Sequence, residues 1–368
     1  MPTPWQRNLE QDGKKFEAWL RRQLPDARDL VLTPLVAPTS SGFSNETLLC
    51  EAKWTESGAP KRESLVVRIQ PIGYQVFPEY DMGLQFRTMR LLAPTDVPVP
   101  RALWLETEDV SIFGAPFYVM AKVEGRVPTD QPPYTVGGWL LETTPAEQRA
   151  IFLGGFEAMA RIHKLDLEET GFGFLRKPGF ANGLEQELAF YERYFEWAAA
   201  GREQPIAEAA WSWLQKNKPS GEPEGLVWGD ARIGNIIFDG TKLAAVLDWE
   251  MVTCGSPEKD IGWAVFLDRH HTEGLGAPRV PGFPSYDECM AYYESRTGHR
   301  VKHLHYYQVF AGFRFACVMM RIAQQLLHYQ LMTKEQSRAM EIENTVTKLT
   351  AHILDLAPPS EHVKRLVG

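Results

Sequence analysis

Apolar and aromatic side chains recur at helical spacing at Leu9, Phe16, Trp19, Leu20 and Leu24, which predicts a helix over 8–24. The pattern then shifts. Residues 30–36, 47–54 and 64–69 are short β-rich runs separated by Gly, Pro and Ser clusters, and they read as strands. Met82–Leu92 has helical spacing and is ended by Pro94, Pro98 and Pro100. Ala102–Glu106 and 116–123 read as two more strands. After Glu124-Gly125 the texture becomes helical. Thr144-Pro145-Ala146-Glu147 is a capping box with proline at the first helical position, opening a helix to about residue 164. A further helix starts near Asn182, with Glu185 three residues on, and others are predicted over 207–216, 258–269, 286–296, 302–331 and 334–356. Only 226–248 interrupts them, with two short strands. This order predicts an α+β protein of two lobes with a cleft between them: a small β-rich lobe over 1–121 and a larger helical lobe over 122–368.

The interruption carries the chemistry. Ile236-Ile237-Phe238 and residues 243–247 flank Asp239-Gly240, and Asp-Gly between β-rich runs signals a hairpin. Asp230 and Asn235 precede the first strand, and Asp248 ends the second. A hairpin returns its strand ends to one edge, so two carboxylates and a carboxamide should converge there. Phosphoryl transfer uses that set: one carboxylate takes the proton of an attacking hydroxyl, and the other carboxylate with an amide oxygen holds Mg²⁺ against nucleotide phosphates.

Composition narrows the field. The 368 residues exceed one small core, and 44% hydrophobic with 23% charged residues is ordinary for a globular protein. A net charge of −8 argues against non-specific nucleic-acid or anionic-membrane binding. Cys50, Cys254, Cys289 and Cys317 form no C-x-x-C pair and read as reduced thiols. The charged N-terminal residues lack a signal-peptide core, and no run approaches a membrane span. The expectation is a cytoplasmic protein with no nucleic-acid or membrane partner; its oligomeric state is not encoded legibly.

Gly229-Asp230-x4-Asn235 followed by Asp248-Trp249-Glu250 resembles the aminoglycoside phosphotransferase and choline-kinase-like family, which shares the protein-kinase-like fold. The likeness runs from about residue 30 to 350. The segments VPVPRALWLE (97–106), PFYVMAKVEG (116–125) and AVLDWEMVTCG (245–255) are similar to the kinase-like domain fused to some acyl-CoA dehydrogenases. The resemblance implies an ATP-dependent phosphotransferase, with GTP as an alternative donor, acting on a hydroxyl of a small molecule. It assigns Asp230 to the acceptor proton and Asn235 and Asp248 to Mg²⁺. Ser41, Gly42, Phe43, Ser44 and Asn45 would form the loop over the phosphates. Arg68 would be the strand cation on those phosphates, and Gln85 its helix partner. Met120 and Lys122, in the segment joining the lobes, would present backbone groups to adenine. Asp260 would bond the catalytic-loop backbone from a helix start.

Three positions depart from the family's usual pattern. Arg68 stands for lysine, Gln85 for glutamate and Trp228 for the histidine before Gly-Asp. They motivate one alternative, a nucleotide-binding kinase-like protein without transferase activity. Other candidates read as structure. His270, His271 and Glu273, or His303 and His305, lack zinc-site spacing. Ser256-x-x-Lys259 reads as a turn and helix start. Trp139, Tyr191, Tyr194, Phe195 and Trp197 could line an acceptor pocket, but the last four share one predicted helix and read as core. The acceptor would meet residues within 130–220 and 265–330, where no motif is legible.

Overall fold

The computed structural model describes residues 7–38 and 45–360. Its fold is α+β. Two compact units are distinguished, one containing residues up to 90 and 100–123, the other 91–99 and the described residues from 124 onward.

The first unit holds helix α1 (Leu9–Gln23), strands β1 (Arg28–Leu32), β2 (Glu46–Glu56) and β3 (Ala59–Ile69), most of α2 (Met82–Leu92), and strands β4 (Ala102–Glu106) and β5 (Phe117–Ala121). The strands form one antiparallel sheet in the order β1-β2-β3-β5-β4. Glu56 pairs with Ala59, and the two residues between them, Ser57 and Gly58, have φ of 50° and 78°, the left-handed pair that a tight hairpin favours. The amphipathic α1 buries Phe16, Trp19 and Leu20 against the sheet. Phe117 meets Trp19 edge-on at 4.9 Å, and Phe113 meets Phe117 at the same spacing.

The second unit is mainly helical: α3 (Pro145–His163), α4 (Gly183–Ala199), α5 (Pro205–Lys216), α6 (Glu258–Arg269), α7 (Tyr286–Thr297), α8 (Leu304–His328), α9 (Lys334–Ile342) and α10 (Thr345–Ile353). The predicted capping box at Thr144 and Glu147 is present in both directions. The long α8 is buried over most of its length and packs against α6, where Gly262 lets the helices close; a Cβ there would lie 2.5 Å from Tyr307 Cβ. Two small ladders complete the unit. β6 (Gly225–Val227) pairs with β9 (Thr253–Gly255), and β7 (Ile236–Asp239) pairs with β8 (Lys242–Val246). The β7–β8 turn has Gly240 at φ 59°, as the Asp-Gly signal predicted.

Four details differ from the sequence reading. The span 334–356 is two helices, because the Asn344 carboxamide oxygen accepts the N–H groups of Val346 and Thr347 and starts a new one. The first strand is Arg28–Leu32 rather than 30–36, leaving Val36 only a bridge to Leu49. The residues after Arg269 form a π-helical turn, His270–Gly274. Residues 91–99 group with the second unit, where Val246 N–H donates to Pro98 O at 2.8 Å and Arg161 donates to Asp96 O at 3.0 Å.

Candidate active site

The chain leaves β6 at Val227 and turns sharply through Trp228 and Gly229. A buried carboxylate fixes the turn. Trp228 N–H donates to Asp260 Oδ2 at 2.7 Å, and Gly229 N–H donates to Asp260 Oδ1 at 2.8 Å. Asp260 has no exposed surface, and His163 Nε2 lies 3.0 Å from its Oδ2. The Tyr293 hydroxyl lies 2.8 Å from the other nitrogen of that imidazole, Nδ1. The opposite side of the turn is also tied, since buried Arg314 donates to Gly229 O at 2.7 Å. The Arg314 guanidinium lies 4.3 Å over the Trp263 ring.

This frame presents Asp230. Trp263 Nε1 donates to Asp230 Oδ1 at 2.6 Å, and Asn235 Nδ2 donates to Oδ2 at 2.6 Å. Arg232 Nε reaches the same Oδ2 at 3.3 Å. A one-turn 3-10 helix, Ile233–Asn235, carries the chain into β7. β8 returns it: Leu247 N–H donates to Asn235 O at 2.8 Å, and Asp248 follows with φ 59°. The side chains of Asp230 and Asn235 therefore touch directly, and Asp248 is joined to them through the hairpin backbone. The Asn235 amide nitrogen is committed to Asp230, which leaves its side-chain oxygen as an acceptor.

In the first unit, Ser41, Gly42, Phe43 and Ser44 lie outside the described residues. Asn45 is buried at the entrance to β2. Arg68, on β3, donates to Thr47 Oγ1 at 2.9 Å across the β2–β3 ladder. Gln85 is buried on α2 and its carboxamide is used by Tyr118, whose hydroxyl donates to Gln85 Oε1 at 3.2 Å, and by Met82 Sδ at 3.9 Å. The Gln85 carboxamide is thus also a partner of the tyrosine on β5. Met120 lies on β5, and Lys122 follows it with its own N–H donated to Ser64 O at 2.8 Å, so that amide is not free for an adenine ring.

Residues 36–295 match the family model described as the phosphotransferase enzyme family, APH. The chain belongs to that family. Among curated proteins it is similar to acyl-CoA dehydrogenase family member 11 of Gallus gallus, 32% identical over 295 residues covering 77% of this chain and 35% of the relative. The human protein of the same name is 29% identical over 296 residues, again 77% of this chain and 35% of the relative. The chain thus spans about a third of the length of these curated relatives. Among solved structures, a candidate aminoglycoside phosphotransferase from Ralstonia eutropha JMP134 aligns with a TM-score of 0.67 and 24% identity over 93% of this chain and 98% of its own. These likenesses establish a kinase-like phosphotransferase fold.

Within that phosphotransferase family, Trp228 is the most informative departure. It is fully buried, and its indole Nε1 donates to Leu247 O at 2.8 Å and Asp248 O at 3.2 Å. Trp228 therefore joins the loop carrying Asp230 to the strand end carrying Asp248. Trp228→Phe removes the donor and shrinks the buried bicyclic ring to a phenyl ring. It should lower unfolding free energy by at least about 1–3 kcal/mol, the cost of buried acceptors left unmade, with the lost ring volume adding to it. Denaturant titration reads this, and unchanged stability would show the two carbonyls find another donor.

The remaining candidates are structural. Burial pushes His270 down to about 3 and His271 below its usual range, so both are neutral at pH 7. Among the described residues, no group of three His, Cys, Asp or Glu side chains is placed to hold a metal. Lys259 starts α6 and is buried against Glu187; burial brings it down to about 8. Tyr191 and Tyr194 are core, Phe195 packs on Phe313, and Trp197 lies under Arg321 at 3.7 Å. Trp139 is bonded to Val127 O and stacked by Arg126 at 4.3 Å. No described helix is long and apolar enough to cross a membrane. Arg232, Trp263 and Arg314, none of them a predicted site residue, are brought to this site by the fold.

Proposed function

We propose that this chain transfers the γ-phosphoryl group of ATP to an alcohol hydroxyl of a small molecule. The observation that carries this reading is the carboxylate of Asp230, held by Trp263 and Asn235 at the mouth of a hairpin that returns Asp248. Asp230 takes the hydroxyl proton as the acceptor oxygen forms its bond to the γ-phosphorus. The bond from that phosphorus to the bridging oxygen breaks, and ADP leaves. Two oriented donors on Asp230 fix where its remaining lone pairs point, which supports general-base geometry.

The donor set fits Mg²⁺. The Asn235 carbonyl oxygen and the Asp248 carboxylate are hard oxygen ligands, and two protein ligands are what this ion takes when phosphates and water fill the rest. When bound, Mg²⁺ would neutralise charge on the nucleotide phosphates. Arg68 on the first unit would hold those phosphates, together with residues 41–45 as the resemblance implies. Adenine would meet backbone carbonyls near Met120 and Lys122. Arg68→Ala should weaken ATP binding more than adenosine binding, since a charge-assisted hydrogen bond contributes about 1.5–3 kcal/mol. Equal losses in calorimetry would reduce Arg68 to a strand residue.

The acceptor class is drawn from relatives. Names among them point to aminoglycosides, to macrolides through a Brachybacterium faecium macrolide 2′-phosphotransferase with TM-score 0.52 and 16% identity, and to acyl metabolites. An ATP-consumption screen over aminoglycosides, hydroxylated metabolites and hydroxyacyl thioesters tests the reading. Acceptor-dependent ADP formation is expected. Nucleotide binding with no turnover for any acceptor would instead favour a nucleotide-binding protein.

A further inference from the structure

We infer that Arg232, tethered by Asp130, is a positioning residue for Asp230. The inference rests on the reading of Asp230 as the base. Arg232 lies between two carboxylates: its Nε donates to Asp230 Oδ2 at 3.3 Å, and its Nη1 donates to Asp130 Oδ2 at 2.5 Å. Burial works against the charged guanidinium, but the two carboxylates outweigh it and hold its pKa above the usual range. His271 Nε2 approaches Asp130 Oδ1 at 3.8 Å, yet burial keeps that ring neutral at pH 7. Arg232 therefore supplies the full positive charge facing Asp130 in this cluster.

The backbone is cut to fit the guanidinium. A Cβ on Gly234 would lie 2.4 Å from Arg232 Nη1 and 3.2 Å from Asp130 Oδ1. Glycine at 234 leaves the space in which the Asp130–Arg232 pair sits. The pair also spans 102 residues of sequence, so it anchors the catalytic loop to a separate segment of the second unit. Arg232 has two roles here. It adds a third donor to the Asp230 carboxylate, and it separates two carboxylates that would otherwise repel. Without it, Asp230 would lose a donor and turn away from Asp130, which misaims the lone pair that a hydroxyl needs.

The probe is Mg-ATP with water as acceptor, read as inorganic phosphate release by the full chain. Arg232→Ala should lower kcat roughly tenfold or more with the KM for ATP nearly unchanged. Added guanidinium should restore part of that loss in Arg232→Ala and none in Asp230→Asn. Asp130→Asn should lower kcat less, and adding it to Arg232→Ala should cost nothing further and restore part of the loss, because it removes the carboxylate that Arg232 keeps apart from Asp230. Gly234→Ala should mimic the loss by displacing the guanidinium. Circular dichroism checks folding, and Arg232→Lys, which keeps the charge but cannot reach both carboxylates, stands in where the alanine variant unfolds; it should also lose kcat. Full kcat in either Arg232 variant alongside a slow Asp230→Asn overturns this inference alone, as does a rise in KM with kcat intact. Wild-type phosphate release no faster than that of Asp230→Asn, or none at all, overturns instead the reading of Asp230 as base.

Discussion

Gly229→Ala should destabilise the protein by roughly 3 kcal/mol or more, combining backbone strain at positive φ with a steric collision. Gly229 has φ 93°, and a Cβ there would lie 2.0 Å from Met251 O. The colliding atom is backbone and cannot swing aside. Its N–H and C=O are both committed, to Asp260 and to Arg314, so the turn cannot relax without breaking a buried hydrogen bond. Because Asp230 is the next residue, the loss should appear in chemical denaturation and in turnover together. A Gly229→Ala protein as stable as wild type would show that the turn is plastic and that the Asp260–Arg314 frame does not set the position of Asp230.

Asp248→Asn should weaken Mg-dependent nucleotide binding and abolish transfer at the same time. The proposed metal ligand is needed while nucleotide is bound, before any bond changes. The substitution is isosteric, and the backbone carbonyl that Trp228 grips remains in place, so packing is preserved. Calorimetry with ATP in the presence and absence of Mg²⁺ measures the difference. Undiminished Mg-dependent affinity in Asp248→Asn would remove it from the metal site.

Much of this arrangement is written in local sequence. The β7–β8 hairpin follows from Asp239-Gly240 between β-rich runs, and α3 from its capping box. Asp260 accepts the backbone N–H groups of Trp228 and Gly229, just before Asp230, a contact the resemblance implied. What was not legible is long-range. Trp263 reaches Asp230 from 33 residues away and Asp130 reaches Arg232 from 102, and neither partner has periodicity or spacing that announces it. Arg314 did leave a signal. A single charge in an otherwise apolar stretch of helix must find a buried partner, and here it finds Gly229 O and an aromatic cage of Trp263, Tyr191 and Phe310. The break between α9 and α10 was likewise marked by Asn344, a cap residue that helical periodicity alone ran through. Gln85 shows the opposite limit: the resemblance implies Arg68 as its partner, and the fold also places the Tyr118 hydroxyl against its carbonyl.

The most direct test of Asp230 as the base in phosphoryl transfer is single-turnover transfer from Mg-ATP by Asp230→Asn, with nucleotide affinity measured on the same protein. A general base acts only when the hydroxyl attacks, so affinity should stay close to wild type while the transfer rate falls by roughly 10²–10⁴-fold. An Asp230→Asn protein that transfers at the wild-type rate, or that loses nucleotide as severely as Asp248→Asn, would contradict the assignment.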